Sequence, residues 1–195
     1  MHISLTNIVI NSWESLEKGS LQPGHPFRNM VISTQGDGNI GMATVILRAV
    51  SAHDSLLIFY TDVRSNKVFN LQNNNSISML LYSDADKLQL ILKGNTTLHN
   101  QDEVTAGHWA ALTNQGKRSY MAHPAPSSKI NDPADGLEYI NDDTWNDALI
   151  TGYQNFAVIK VAVNLMEYLK LNQTGHRRAS FNLIKNNWMG SWLVP

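Results

Sequence analysis

The chain opens with apolar residues at helical spacing and then changes to the shorter period of β-strands. Ile3 to Lys18 places apolar side chains every three or four residues, which predicts an amphipathic helix ending at Gly19. From Phe27 onward, β-branched and aromatic runs alternate with turn clusters, which is typical of strands joined by short loops. The runs that predict strands are Met30–Thr34, Ile40–Val50, Leu56–Thr61, Ile77–Tyr82, Leu88–Leu98 and Phe156–Val163, and the segments His176–Ile184 and Trp188–Val194 close the chain.

Short helices are expected between some of these strands. Ser65 to Leu71 predicts one, with Ser65 as its N-cap, and Asp102 to Leu112 predicts another, capped by Asp102. Gly94 interrupts a strand pattern and indicates a bulge or a close approach of two backbones. Ser119 to Asp147 is the least regular part of the chain, with three of its six prolines.

These elements predict a mainly β fold. We expect six or seven strands with two or three short helices, and hairpin turns without regular βαβ alternation favour an antiparallel barrel over a doubly wound sheet. A β-barrel of antiparallel Greek-key type, in one domain, is the predicted architecture. Residues 1–20 would form an N-terminal helix and residues 27–195 the barrel.

Composition narrows the function classes. The formal net charge is −1, which gives no basic excess for a nucleic-acid or anionic-membrane partner. The absence of cysteine excludes thiol catalysis and Cys-ligated metals. We expect a cytoplasmic protein, because the sequence shows neither a signal-peptide pattern nor an apolar run long enough to cross a bilayer. The spacing of His99, His108 and His123 does not predict a metal site.

The stretch from Phe59 to Lys67 is the most informative for chemistry. A buried strand ends, a short polar turn follows, and a helix begins with Arg64 and Lys67 close to its first turn. Free backbone N–H groups at a helix start attract anions, so a phosphate site is one interpretation. A solvated helix start is the other, and spacing alone leaves both open. The cationic run His176-Arg177-Arg178 likewise fits an anion site or a charged edge strand.

Several short motifs occur in the order found in a known flavoprotein superfamily. They are Thr44-Val45-Ile46-Leu47-Arg48, Phe59-Tyr60-Thr61, Ser65-Asn66-Lys67, Lys87-Leu88-Gln89-Leu90 followed by Gly94, Glu167-Tyr168-Leu169 and His176–Phe181. Their order and spacing resemble the FMN-binding split barrel of pyridoxamine 5'-phosphate oxidase, over roughly Phe27 to Pro195. The shortened form and the His-Arg-Arg ending resemble the uncharacterised oxidase-related flavoproteins of this superfamily more than the biosynthetic oxidase.

The resemblance implies a site for FMN at the interface of a homodimer. The strand over 43–48 would lie along the flavin, the Tyr60-Thr61 pair would line the ribityl and phosphate end, and Gln89 would come from the second subunit or the barrel wall. Arg64 is added to the implied set because its charge lies beside the expected phosphate position. The cofactor-binding candidates are therefore Thr44, Val45, Ile46, Arg48, Tyr60, Thr61, Arg64, Ser65, Lys67, Gln89 and Ser127.

The sequence also departs from the family pattern. Two arginines that grip the phosphate in the family fall on Ala43 and Asn66 here. The arginine and tryptophan near the flavin ring fall on Ser180 and Leu169. The positions that hold pyridoxamine phosphate correspond to Gly107, Ala111 and Gln115, and His176-Arg177-Arg178 replaces the family's Arg-x-His.

The function implied by the resemblance is an FMN-dependent oxidoreductase with an unassigned small-molecule substrate. No catalytic side chain is identified, since the flavin itself carries redox chemistry. Two alternatives stay open. One is a non-catalytic flavin or tetrapyrrole-binding module, motivated by the lost arginines. The other is pyridoxamine 5'-phosphate oxidase itself.

Overall fold

The strand pattern resolves into one continuous antiparallel sheet in the computed structural model, which describes residues 4–36 and 38–195. The helices are α1 (Leu5–Leu21), α2 (Asn66–Asn73), α3 (Glu103–Ala111), α4 (Asn114–Arg118) and α5 (Trp145–Asn155), and a 3₁₀ turn spans Pro26–Arg28. The strands are β1 (Asn29–Gln35), β2 (Ile40–Ser51), β3 (Leu56–Asp62), β4 (Ser76–Ser83), β5 (Leu88–Asn100), β6 (Phe156–Lys170), β7 (Arg177–Ile184) and β8 (Asn187–Leu193).

Six strands close into a barrel. Their order is β3-β2-β1-β4-β5-β6, and β3 pairs with β6 to complete the ring. The first half of β6 pairs with β3, from Phe156 to Ala162, and its second half pairs with β7, from Leu165 to Lys170. The sheet therefore splits along β6, and β7 and β8 extend it beyond the barrel. The predicted mainly β, antiparallel split barrel with short helices is confirmed.

The core follows from the alternation of each strand. On β1 and β4 every second side chain is buried, which places Ile32 and Met79 inside the barrel. Strand β3 is buried on both faces as predicted, because Phe59 faces the barrel core while Ile58 packs in a smaller cluster with Phe156. The helix α1 covers one end of the barrel and brings Trp13 to within 6.1 Å of the Trp188 ring.

Gly19 does not end the first helix. The helix α1 continues to Leu21, and Gly19 is buried where a Cβ atom would lie 2.8 Å from the carbonyl oxygen of Phe27. This glycine is needed for close packing against the following turn, so it marks a close approach of two backbones and not a helix end. The predicted start at Ile3 lies outside the described residues, as does Asp37 in the predicted turn after β1.

Two other local predictions are confirmed. Asp102 caps α3 in a reciprocal box with Thr105, whose backbone N–H donates to Asp102 Oδ1 at 2.9 Å. Gly94 sits at a register shift between β5 and β6, where a Cβ atom would meet the Ala162 carbonyl oxygen.

The structure holds more elements than the sequence predicts. The described residues contain eight strands and five α-helices, because the last two segments pair as strands and because α4 and α5 lie inside or beside the irregular region. Strand β6 also runs on to Lys170 instead of stopping at Val163. The long loop between α4 and α5 remains irregular and folds back against the turn that follows β3.

Among the described residues, no helix is long and apolar enough to cross a membrane. The same part of the chain holds no cluster of three or more His, Cys, Asp or Glu side chains placed to bind a metal ion.

Candidate functional site

A cavity of about 220 Å³ lies between β1, β2 and the start of α2. Strand β2 contributes Gly41 to Ala43, and α2 contributes its N-cap residue and first turn. The loop residues Pro126 and Ser127 complete the wall, although they lie some sixty residues further along the chain. Three residues predicted from the resemblance, Ser65, Lys67 and Ser127, therefore lie around one cavity.

Hydrogen bonds inside the turn leave the helix start open. Ser65 occupies the predicted N-cap position of α2, but its Oγ donates to the carbonyl oxygen of Asp62 at 2.7 Å and does not cap the helix. The first N–H groups of a helix have no intrahelical acceptor. Because the first turn carries Lys67 and no carboxylate, this end of α2 presents backbone donors and positive charge to the cavity.

Lys67 is a half-buried cation at the mouth of this cavity. Its Nζ lies 3.3 Å from Thr61 Oγ1, which in turn lies 3.3 Å from Ser65 Oγ. Burial lowers the pKa of Lys67, and the nearby carboxylate of Asp62 opposes that shift. An ammonium carries three N–H donors, so a hydroxyl at this distance satisfies Lys67 poorly and a bound anion would satisfy it better.

Arg64 has other partners. Its Nε and one terminal nitrogen donate to the two oxygens of Asp62 at 3.0 and 2.6 Å, which forms a bidentate ion pair. The terminal nitrogens also donate to the carbonyl oxygens of Ala122 and His123. Arg64 therefore ties the turn after β3 to the long loop and does not line the 220 Å³ cavity. In the structure, this residue, predicted as a phosphate ligand, makes contacts that hold the long loop in place.

The middle of β2 presents only part of the predicted set to a ligand. Thr44 and Ile46 lie on the exposed outer face of the strand, whereas Val45 is 7% exposed and packs in the barrel core. Because side chains alternate along a strand, the Val45 side chain cannot reach the face shared by Thr44 and Ile46. Any contact of Val45 with a ligand would be through its backbone.

A second polar group lies further along the same strand. Arg48 is five residues beyond Ala43, or about 16 Å at the rise of an extended strand. Its guanidinium lies 5.2 Å above the Tyr60 ring, and its buried Nε has no hydrogen-bond partner among the described residues. The Tyr60 hydroxyl lies 2.9 Å from His108 Nδ1. Burial raises the pKa of Tyr60, and burial followed by the charges of Lys160 and His99 lowers the pKa of His108.

Gln89 lies on a different part of the surface. It faces outward from β5, opposite Tyr82 on β4, and it does not line the 220 Å³ cavity. On the same outer face the strand registers place Thr44, Val31, Leu80 and Ile91 side by side. Within one chain, Gln89 is thus separated from the Lys67 cavity by the width of this face.

Sequence reasoning missed two contributors to the site. Asn70 lines the cavity one helical turn after Asn66 and donates from Nδ2 to Thr34 Oγ1 at 3.1 Å. Its spacing from Asn66 could have identified it, since residues four apart share a helix face. His108 could not have been found in this way, because its contact with Tyr60 joins positions 48 residues apart.

The departures from the family pattern fall in two places. Ala43 and Asn66, which replace the phosphate-binding arginines, both line the 220 Å³ cavity beside Lys67. Leu169 and Ser180 lie on β6 and β7, where Ser180 pairs with Glu167. In the cationic run, Arg178 donates to Glu167 on the neighbouring strand at 2.8 Å. The charged edge strand proposed for this run is wrong in one respect, because β7 lies between β6 and β8 and is not at the edge of the sheet.

Comparison with known proteins agrees with this fold. Residues 11–100 match the sequence model of the family described as pyridoxamine 5'-phosphate oxidase, FMN-binding domain. No curated protein sequence matches the chain.

Solved structures extend the match to the whole chain. A pyridoxamine 5'-phosphate oxidase-related, FMN-binding protein from Nostoc punctiforme has a TM-score of 0.77 and 17% identity, with 100% of each chain covered. PhzG from Burkholderia lata, solved in complex with tetrahydrophenazine-1-carboxylic acid, has a TM-score of 0.70 and 15% identity over 99% of this chain and 94% of that one. A protein related to general stress protein 26 from Clostridium acetobutylicum has a TM-score of 0.54 and 12% identity, covering 95% and 94%.

The fold is that of a known structural class. The closed barrel split along β6, with a cavity at the start of α2, is the pyridoxamine 5'-phosphate oxidase-like split barrel. The domain match over 11–100 is to the FMN-binding domain of that family, so the resemblance inferred from the motifs is confirmed. The structural matches are below 25% identity and show the fold alone.

Proposed function

We propose that this protein is a homodimeric flavoprotein that binds FMN and uses it for oxidoreductase chemistry on a small-molecule substrate. The observation that carries the proposal is the cavity of about 220 Å³ in which the open start of α2, Lys67 and Ser127 converge. A phosphate group needs several donors and a compensating charge, and this set supplies both. The matched FMN-binding domain supports the same ligand.

The residues present fit FMN along its length. Lys67, Ser65 and the first N–H groups of α2 would hold the phosphate, with Thr61 orienting the Lys67 ammonium. The outer face of β2 would lie along the ring system, and half-buried Arg48 would add a positive charge farther along the strand. When bound, FMN supplies the electron and hydride transfer.

A second subunit would complete the flavin site. The outer face of the barrel exposes apolar side chains on neighbouring strands, including Met42 at 72% and Leu80 at 37%. Exposed apolar side chains of this kind are typical of protein–protein interfaces. Burying it against a second copy would carry Gln89 from one protomer toward the flavin of the other, which is the role that the family resemblance implies.

The ligand is tested by the absorption spectrum of freshly purified protein. We expect flavin bands, and mass spectrometry of the heat-released cofactor should identify a flavin. Protein that is colourless and gains no flavin bands after incubation with FMN would contradict the proposal.

Redox activity needs its own measurement. We expect the bound flavin to be reduced by a nicotinamide donor and reoxidised by an acceptor in stopped-flow absorbance. A flavin that binds but cannot be reduced in this way would favour the non-catalytic binding module. Formation of pyridoxal phosphate from pyridoxamine phosphate is not expected, because Gly107, Ala111 and Gln115 lack the side chains that hold that substrate in the family.

A further inference from the structure

A second cavity of about 480 Å³ borders the first. The two share Pro126 and Ser127 in their walls, and the second continues past the Asp62–Arg64 ion pair into the long loop between α4 and α5. A phosphate held by Lys67 would therefore lie next to a second, half-open cavity. FMN ends at its phosphate, so the mononucleotide alone gives this space no occupant.

An ordered aromatic surface lines the second cavity. The rings of His123 and Tyr139 are stacked, with centroids 3.7 Å apart and planes 16° from parallel. The Tyr139 hydroxyl donates to the Met121 carbonyl oxygen at 2.6 Å, and Arg64 donates to the His123 carbonyl oxygen at 2.9 Å. These bonds attach the stacked pair to the turn that follows β3, so the rings are held beside the phosphate cavity.

Carboxylates and serine hydroxyls supply most of the polar groups of this cavity. Asp135 and Glu138 contribute carboxylates, while the cationic charge of Arg64 is matched by Asp62. Such a lining favours a ligand part that is neutral and rich in hydroxyl and amino donors. Nucleosides have this chemistry, because carboxylates accept hydrogen bonds from ribose hydroxyls and aromatic rings stack on bases.

We propose that the 480 Å³ cavity binds the adenosyl part of a flavin dinucleotide, so that the protein accepts FAD as well as FMN. The inference rests on the proposed function, since it requires the flavin phosphate at Lys67. His123 would stack on adenine, and Glu138 would accept from the ribose hydroxyls. The second phosphate of the dinucleotide would lie at the boundary of the two cavities, beside the Ser127 hydroxyl. The long loop between α4 and α5, and not the strands of the barrel, would then provide the contacts that are specific to FAD.

The test compares FAD and FMN affinities by isothermal titration calorimetry in the full-length protein. The variants are His123→Ala and Glu138→Ala, and the matched controls are His53→Ala and Glu14→Ala, which are exposed and lie away from both cavities. We expect the wild type to bind FAD at least as tightly as FMN. Loss of a base-stacking ring should weaken FAD binding by about fivefold or more and change FMN binding by less than about twofold.

The outcomes are separable from those of the proposed function. Wild-type protein that binds FMN and binds FAD more weakly, with an FAD to FMN ratio unchanged in His123→Ala and Glu138→Ala, would overturn the inference alone. Binding of neither flavin would contradict the proposed function. Titration with AMP would then test whether the second cavity binds an adenosyl group. AMP binding that His123→Ala weakens would support an adenosyl site, and no AMP binding would overturn it.

Discussion

Lys67 combines a cationic head group with a half-buried position at the start of α2. Its ammonium is partly desolvated but has only a long contact to Thr61 Oγ1 within the described residues. A desolvated charge with a poor partner is costly in the ligand-free protein, and an anionic ligand removes that cost. The same residue therefore links the electrostatics of the site to its affinity for phosphate.

This linkage predicts a pH dependence of FMN binding. Burial lowers the pKa of Lys67, so the neutral amine forms at a lower pH than for an exposed lysine. FMN affinity should therefore fall as the pH rises through this lowered pKa. In Lys67→Arg the fall should move to higher pH, because a guanidinium stays charged. Fluorescence titrations with FMN across the alkaline range check this, and identical profiles for the two proteins would count against it.

The residues that replace the family's arginines allow a gain-of-affinity test. Asn66 is exposed and lines the phosphate cavity, so Asn66→Arg would add a cation beside Lys67. A charged hydrogen bond contributes about 1.5–3 kcal/mol, which corresponds to a gain in FMN affinity of roughly tenfold or more. Asn11→Arg on the exposed side of α1 has the same net charge and should leave the dissociation constant unchanged. Equal FMN affinities of the two variants would show that position 66 does not contact the phosphate.

At the scale of elements, the bulge at Gly94 determines the register between β5 and β6. A side chain at this position would collide with the Ala162 carbonyl oxygen, which belongs to the neighbouring backbone and cannot swing away. The register shift therefore depends on the missing Cβ atom.

Two alanine substitutions should act in opposite directions. Gly94→Ala is expected to lower the free energy of unfolding by about 1–3 kcal/mol through overpacking. Gly107 lies inside α3, and a methyl group added there would meet no described atom within 4 Å apart from its chain neighbours and the backbone of its own helix. Gly107→Ala should therefore raise the free energy of unfolding by about 0.5–1 kcal/mol. Urea denaturation measures both. A neutral Gly94→Ala would show that β5 and β6 can separate at this point without cost.

Sequence patterns predicted elements better than contacts between them. The alternation in β1 and β4 and the cap at Asp102 are local signals, so they could be read directly. The convergence of Ser127 with Lys67 came from the family resemblance, since nothing local joins positions sixty apart. The contacts of Arg64 with the Ala122 and His123 carbonyl oxygens, and of Tyr60 with His108, depend on tertiary packing and left no pattern in the sequence.

At the scale of the whole molecule, the outer face of the barrel is the expected dimer interface. Leu80 lies near its centre between Val31 and Ile91, whereas Ile10 is an equally apolar, exposed residue on α1. Leu80→Arg would place a charge in the interface and should shift the protein from dimer to monomer in sedimentation velocity. Ile10→Arg should leave the dimer intact. A wild type that sediments as a monomer with flavin bound would contradict the dimer.

The central claim is that the open start of α2 and Lys67 form the phosphate site of a flavin. Titration of FMN into wild type, Lys67→Ala and the exposed-lysine control Lys18→Ala, followed by flavin fluorescence, tests it most directly. We expect tight binding by the wild type and by Lys18→Ala, and an affinity about tenfold or more lower for Lys67→Ala. Equal FMN affinity in all three proteins, or no binding by the wild type, would contradict the account.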